Sequence, residues 1–132
     1  MVLERILYAE DEPDIRAVAT MALEILGGYE VMICNNGQEA LRRVGGFQPN
    51  LILLDVMMPG LDGPATLQQL RANPFTAKIP VIFLTAKVQP SEVKQYQAMG
   101  ALDVITKPFD PMMLSIQVQR LWADSFRKPA GK

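Results

Sequence analysis

The chain has 132 residues and a net charge of −1, a length that suits one domain around one core and a charge that gives nucleic acid no basic field to bind. No apolar run reaches the ~18 residues of a membrane span, and the early acids of MVLERILYAED do not suit a signal peptide, so a cytoplasmic protein without direct membrane contact is expected. The chain contains no histidine, which removes His-based metal sites, Ser-His-Asp chemistry and histidine general bases. The one cysteine, Cys34, cannot close an intrachain disulfide and reads as a buried thiol in a reducing compartment.

In chain order, Ile6 to Ala9 is a short apolar run that predicts a first strand, ending on Glu10-Asp11-Glu12. Pro13 suits a helix first turn, and Asp14 is favourable beside the N-terminal dipole. Ile15, Val18, Ala19, Ala22, Leu23 and Leu26 recur at helical spacing, and Gly27-Gly28 stops that helix. Tyr29 to Cys34 predicts a second strand. Asn36 caps a second helix with Glu39 reaching back, and Gly45-Gly46 ends it. Asn50 to Asp55 is the central strand: Leu51-Ile52-Leu53-Leu54 runs straight into the Asp55 carboxylate, and Pro59-Gly60 turns the chain soon after. Asp62-Gly63-Pro64 opens a third helix that breaks at Asn73-Pro74. Pro80 to Thr85 predicts a fourth strand, Pro90 to Met99 a fourth helix closed by Gly100, and Leu102 to Thr106 a fifth strand ending at Lys107-Pro108. Asp110-Pro111 starts a fifth helix running to about Ser125, with Leu114, Val118, Leu121 and Ser125 on its core face, Trp122 at the edge of that face, and Met112, Met113, Ile116, Ala123 and Phe126 on another side.

Continuously apolar strands separated by helices argue for a parallel sheet covered on both faces. Right-handed crossovers then leave few topologies, and the expected one is α/β, flavodoxin-like and doubly wound, with five helices and five strands in the order 2-1-3-4-5. In such a sheet the carboxyl ends of the strands share one rim, where ligands gather. Glu10, Asp11, Asp55, Thr85 and Lys107 all arrive there. Strands one and three lie side by side in that order, so three carboxylates converge and raise one another's pKa. A hard cation such as Mg2+ relieves this, Lys107 adds a fixed positive charge, and Thr85 adds a hydroxyl. The set describes a site for a phosphoryl group with Asp55 as the nucleophile.

Glu10-Asp11, Asp55 within LLDVMMPGLDG, Thr85-Ala86 within VIFLTAK, Gly100-Ala101 and Lys107-Pro108-Phe109 together resemble the receiver domain of bacterial two-component response regulators, from about Arg5 to Ser125. The resemblance implies that Asp55 accepts phosphate from a phosphohistidine on a sensor histidine kinase or a histidine phosphotransfer protein. It implies that Glu10, Asp11, Asp55 and the Met57 main-chain carbonyl hold Mg2+, and that Lys107 pairs with Asp55 at rest and with the phosphoryl group afterwards. Thr85 would hydrogen-bond that group and draw its loop inward. The Lys107-Pro108 bond is expected to be cis, as in that family. The output face would be the fourth helix, fifth strand and fifth helix, acting on an effector protein, an output domain or a second copy of the chain. Such a domain catalyses its own modification without being a conventional enzyme.

Two positions depart from the family pattern. Val104 stands where an aromatic often precedes the lysine by three, so aromatic rotamer coupling is absent. Met57 and Lys87 stand two beyond Asp55 and Thr85, where family members tune hydrolysis, and a methionine there predicts slow self-dephosphorylation. Two other function classes stay open on the sequence: a constitutive interaction module with a vestigial pocket, and a Mg2+-dependent phosphatase, which Met57 at the general-acid position disfavours. Residues 1–126 are expected to form the receiver domain and 127–132 a short tail or the start of a linker, with only about seven residues after the fifth helix and so no room for a DNA-binding output domain.

Overall fold

A computed structural model describes residues 2–86 and 88–126; Lys87 and the 127–132 tail lie outside them. Five strands, β1 (Arg5–Ala9), β2 (Glu30–Cys34), β3 (Leu51–Asp55), β4 (Val81–Thr85) and β5 (Asp103–Thr106), pair in parallel in the order β2-β1-β3-β4-β5. Between and after them run α1 (Pro13–Met21), α2 (Gly37–Phe47), α3 (Gly63–Ala72), α4 (Pro90–Ala98) and α5 (Leu114–Ser125). This is the expected flavodoxin-like sheet. β3 and β4 are buried at every residue, which is why their sequences run apolar without alternation. None of the described helices is long and apolar enough to cross a membrane.

The sheet divides two cores. Ile6, Tyr8, Leu53 and Leu84 pack on one side with Ala19, Leu23, Leu114, Val118 and Trp122. Leu7, Ile52, Leu54 and Phe83 pack on the other with Ala40, Val44, Leu67 and Leu70. Cys34 is a buried free thiol, and burial pushes its pKa up to about 11.

The helix boundaries differ from expectation in three places. α1 gives way to a π-helical turn over Ala22–Leu26, whose extra residue per turn rotates the face. Ala19, Ala22 and Leu23 are buried as read, whereas Val18 and Leu26 are exposed, as is Ile25. α2 does not stop at Gly45-Gly46: it continues to Phe47 and closes on Gln48 in the left-handed region, φ 53°. Asn36 caps it by accepting from the Glu39 amide at 2.8 Å, while the Glu39 carboxylate reaches back one residue further than a capping box would, to the Asn35 amide at 2.6 Å. α5 begins at Leu114 because Asp110 holds a preceding turn, accepting from the Met112 amide at 2.9 Å. Trp122 belongs to the core rather than to its edge, since its indole is 4% exposed and donates to the Asn50 carbonyl at 3.2 Å. Met112, Met113, Ile116 and Phe126 are exposed as expected, while Ala123 packs against the core.

Candidate functional site

The parallel register delivers the chemistry to one rim. Glu10 follows the last residue of β1 and is tied to β2 by its amide, which donates to the Cys34 carbonyl at 3.0 Å. Asp55 ends β3 opposite Leu84 of β4. Lys107 follows β5, and its amide donates to the Thr85 carbonyl at 2.9 Å, joining the loops after β4 and β5. The Lys107-Pro108 peptide bond is cis.

Lys107 brings these pieces together. Its ammonium lies 3.1 Å from Asp55 Oδ1, 3.3 Å from Glu10 Oε1 and 3.8 Å from Glu12 Oε1. Glu10 is fully buried and Asp55 is 2% exposed, so neither could stand as an unpaired anion without a cost of several kcal/mol. Burial, and after it the Glu10 charge, raises the Asp55 pKa to about 7, against the opposing pull of Lys107. Burial alone would lower the Lys107 pKa; Glu10 and then Asp55 outweigh it, and the net shift is upward. The ammonium therefore stays charged across the physiological range.

Glu10, Asp11 and Asp55 each offer a carboxylate oxygen within 4.8 Å of the others. Asp11 Oδ1 is buried and has no hydrogen-bond partner among the described residues. An orphaned anionic oxygen among other carboxylates fits a hard divalent cation with oxygen ligands. Met57 lies on the loop just after Asp55; its amide donates to Asp55 Oδ1 at 3.4 Å, and its side chain is 77% exposed at the mouth. Thr85 is buried at the end of β4, paired with Thr106 of β5. All the sequence-predicted site residues thus share the rim.

Asp62 is the expected cap, accepting from the Ala65 amide at 2.9 Å. Glu12 is largely exposed, yet its carboxylate reaches Lys107 and its amide donates to Glu10 Oε2 at 3.3 Å. Two further contributors escaped the sequence reading. Arg16 of α1 donates to the Glu10 carbonyl at 2.9 Å. Tyr8 of β1, fully buried, donates its phenol to Glu10 Oε1 at 2.9 Å, and burial followed by the Glu10 charge raises the phenol's pKa. The available signal for Tyr8 was its place two residues before Glu10, on the same face of an extended strand.

The family model of the response regulator receiver domain matches residues 6–119. Among curated proteins the chain is similar to the phosphate regulon transcriptional regulatory protein PhoB of Pseudomonas aeruginosa, 41% identical over 114 residues that cover 86% of this chain and 49% of that protein. It is 37% identical over 127 residues to the DNA-binding dual master transcriptional regulator RpaA of Synechocystis, covering 96% of this chain and 52% of that one. The chain spans about half the length of these relatives. Among solved structures it resembles the chemotaxis protein CheY4 of Vibrio cholerae, with a TM-score of 0.84, 28% identity and coverage of 91% and 99%. The signal receiver domain of a histidine kinase from Syntrophus aciditrophicus matches with a TM-score of 0.77 and 35% identity, covering 98% of this chain and 97% of that one.

Proposed function

The chain belongs to the response regulator receiver family of two-component signalling, and from that footing we propose that Asp55 is the phosphoacceptor of a phosphorylation-controlled switch. The observation that carries this reading is the Asp55 carboxylate at the end of β3, screened from solvent, held by Lys107 at 3.1 Å and flanked by two further acids. Its donor is a phosphohistidine on a sensor histidine kinase or histidine phosphotransfer protein. An Asp55 oxygen attacks phosphorus, the phosphorus–nitrogen bond breaks, and the bonding pair leaves with the imidazole.

Glu10, Asp11, Asp55 and the main-chain carbonyl of Met57 would hold Mg2+, and the orphaned Asp11 oxygen supports that set. When bound, Mg2+ supplies positive charge against the phosphoryl oxygens. Lys107, already paired with Asp55, stabilises the growing negative charge from the opposite loop. Thr85 supplies a hydroxyl to the product, and because its carbonyl accepts the Lys107 amide, a shift of either loop moves the other.

The output runs through the face of α4, β5 and α5. In support, α4 contains no fully buried residue and rests on the sheet through Tyr96, edge-on to Phe83 at 5.0 Å. Val104, half-buried against the same core, offers no aromatic rotamer, so the change passes as backbone and helix displacement to an effector protein, an output domain or a second copy. Residues 1–126 make up this unit.

The test is intact-mass analysis after incubation with acetyl phosphate and Mg2+, beside Asp55→Asn and a chelated sample. The expected result is a gain of one phosphoryl group that needs both Asp55 and Mg2+. No gain, with no detectable Mg2+ binding, would replace the switch with a constitutive interaction module.

A further inference from the structure

We propose that Tyr8 is a positioning residue of the acidic pocket: its hydroxyl fixes the Glu10 carboxylate so that Glu10 can serve Mg2+ while Lys107 is free to turn to the phosphoryl group. This rests on the receiver reading and adds a residue to it.

β1 is an interior strand between β2 and β3, and Tyr8 is fully buried between Ile6 and Glu10 on the face toward α1 and α5. A leucine or isoleucine would fill such a slot without carrying a polar atom into it. A buried phenol needs a partner, and this one reaches along the strand to Glu10 Oε1 at 2.9 Å. The same oxygen accepts from Lys107 at 3.3 Å, while Oε2 receives the Glu12 amide at 3.3 Å. Of these donors, Tyr8 makes the shortest contact and alone lies within a strand. Lys107 has a second anchor in Asp55 at 3.1 Å. Once Asp55 carries a phosphoryl dianion, the ammonium has a stronger partner there. Glu10 Oε1 would then be left bare inside the protein, save for the Tyr8 hydroxyl.

Groups that hydrogen-bond a metal ligand hold its orientation, and their loss weakens metal binding by ~10-fold or more. Tyr8→Phe removes one oxygen and keeps the ring that packs the core. Calorimetric titration of Mg2+ into the metal-stripped full chain should show about 10-fold weaker binding for Tyr8→Phe. Phosphorylation by acetyl phosphate should slow at limiting Mg2+ and recover as Mg2+ is raised. A double-mutant cycle with Glu10→Asp, which draws the carboxylate away from the phenol, adds a readout that mere packing would not move. In the Glu10→Asp background Tyr8→Phe should change Mg2+ affinity little.

Tyr8→Phe binding Mg2+ within about twofold of the parent, well short of the ~10-fold expected, would overturn the proposal and leave Asp55 as acceptor untouched. Additive losses in the cycle would overturn it as well, since Tyr8 would then act through packing alone. A parent chain that neither binds Mg2+ nor takes phosphate on Asp55 would instead sink the receiver reading, and Tyr8's role with it.

Discussion

Glu10 and Asp55 coexist at this rim because Lys107 lies against both, 3.3 Å from Glu10 and 3.1 Å from Asp55, with Asp11 beside them. Lys107 cannot neutralise Glu10, Asp55 and Asp11 alone, and the Asp11 oxygen without a hydrogen-bond partner is where the proposed Mg2+ would add positive charge. In the proposed switch, Met57 would set the fate of the product. Its side chain lies at the mouth, on a backbone bonded to Asp55, and a thioether is too weak an acceptor to hold an attacking water. The Asp55 acyl phosphate should therefore persist for minutes to hours once the donor is removed, as followed by mass spectrometry; decay within seconds would contradict this. Met57→Asn, which restores a strong hydrogen-bonding group, should shorten the lifetime. Glu10, Asp11, Asp55, Thr85 and Lys107 were legible in the sequence because each ends or follows an apolar run, where a polar residue stands out. Tyr8 was not, because an aromatic within an apolar strand reads as packing, and only the carboxylate two positions on gives its hydroxyl a purpose.

The helices were legible in number and order, and less so at their ends. Gly45-Gly46 reads as a stop, yet the apolar positions Val44 and Phe47 keep α2 anchored on both sides of the pair, and tertiary packing carries the helix through. A Cβ at Gly45 or Gly46 would meet nothing within 4 Å. Gly45→Ala and Gly46→Ala should each stabilise the protein by about 0.5–1 kcal/mol in chemical denaturation, the ordinary gain of alanine over glycine within a helix. Gly63 at the start of α3 is the contrasting case. A Cβ there would lie 2.6 Å from the Asp55 carbonyl oxygen and 2.9 Å from Val56 Cα, both backbone atoms at the end of β3. Gly63→Ala should cost on the order of 1–3 kcal/mol and slow acceptance of phosphate as well. The π turn after α1 is the least readable feature: apolar spacing there fits a plain α-helix equally well, and nothing in the local sequence marks the wider turn where the chain packs against β2 and α5.

At the scale of the molecule, strand order and the shared rim followed from the sequence, because continuous apolar strands and right-handed crossovers admit few arrangements. The same burial that gathers the acids makes stability depend on pH. Asp55 binds its proton more tightly in the fold, with a pKa of about 7, than its ordinary 3.8. That contribution is present in full below the ordinary value and is lost as pH rises through about 7, so the metal-free protein should be less stable at about pH 8 than at about pH 5, by a few kcal/mol at most. Mg2+ should recover more stability at the higher pH than at the lower; equal recovery at both in thermal unfolding would contradict the assignment.

The single tryptophan has a consequence for spectroscopy. Trp122 bonds to Asn50, just ahead of the amino end of β3, and the Asn50 side chain in turn accepts from the Glu4 and Arg5 amides. The indole thus stands at the opposite rim from Asp55, separated from it by the full length of a strand. Its emission reports whether the floor of the sheet is assembled, and a group at the acidic rim lies too far away to quench it by contact. Because the indole sits on α5, a change in its emission on phosphorylation would report displacement of that helix rather than contact quenching at the site.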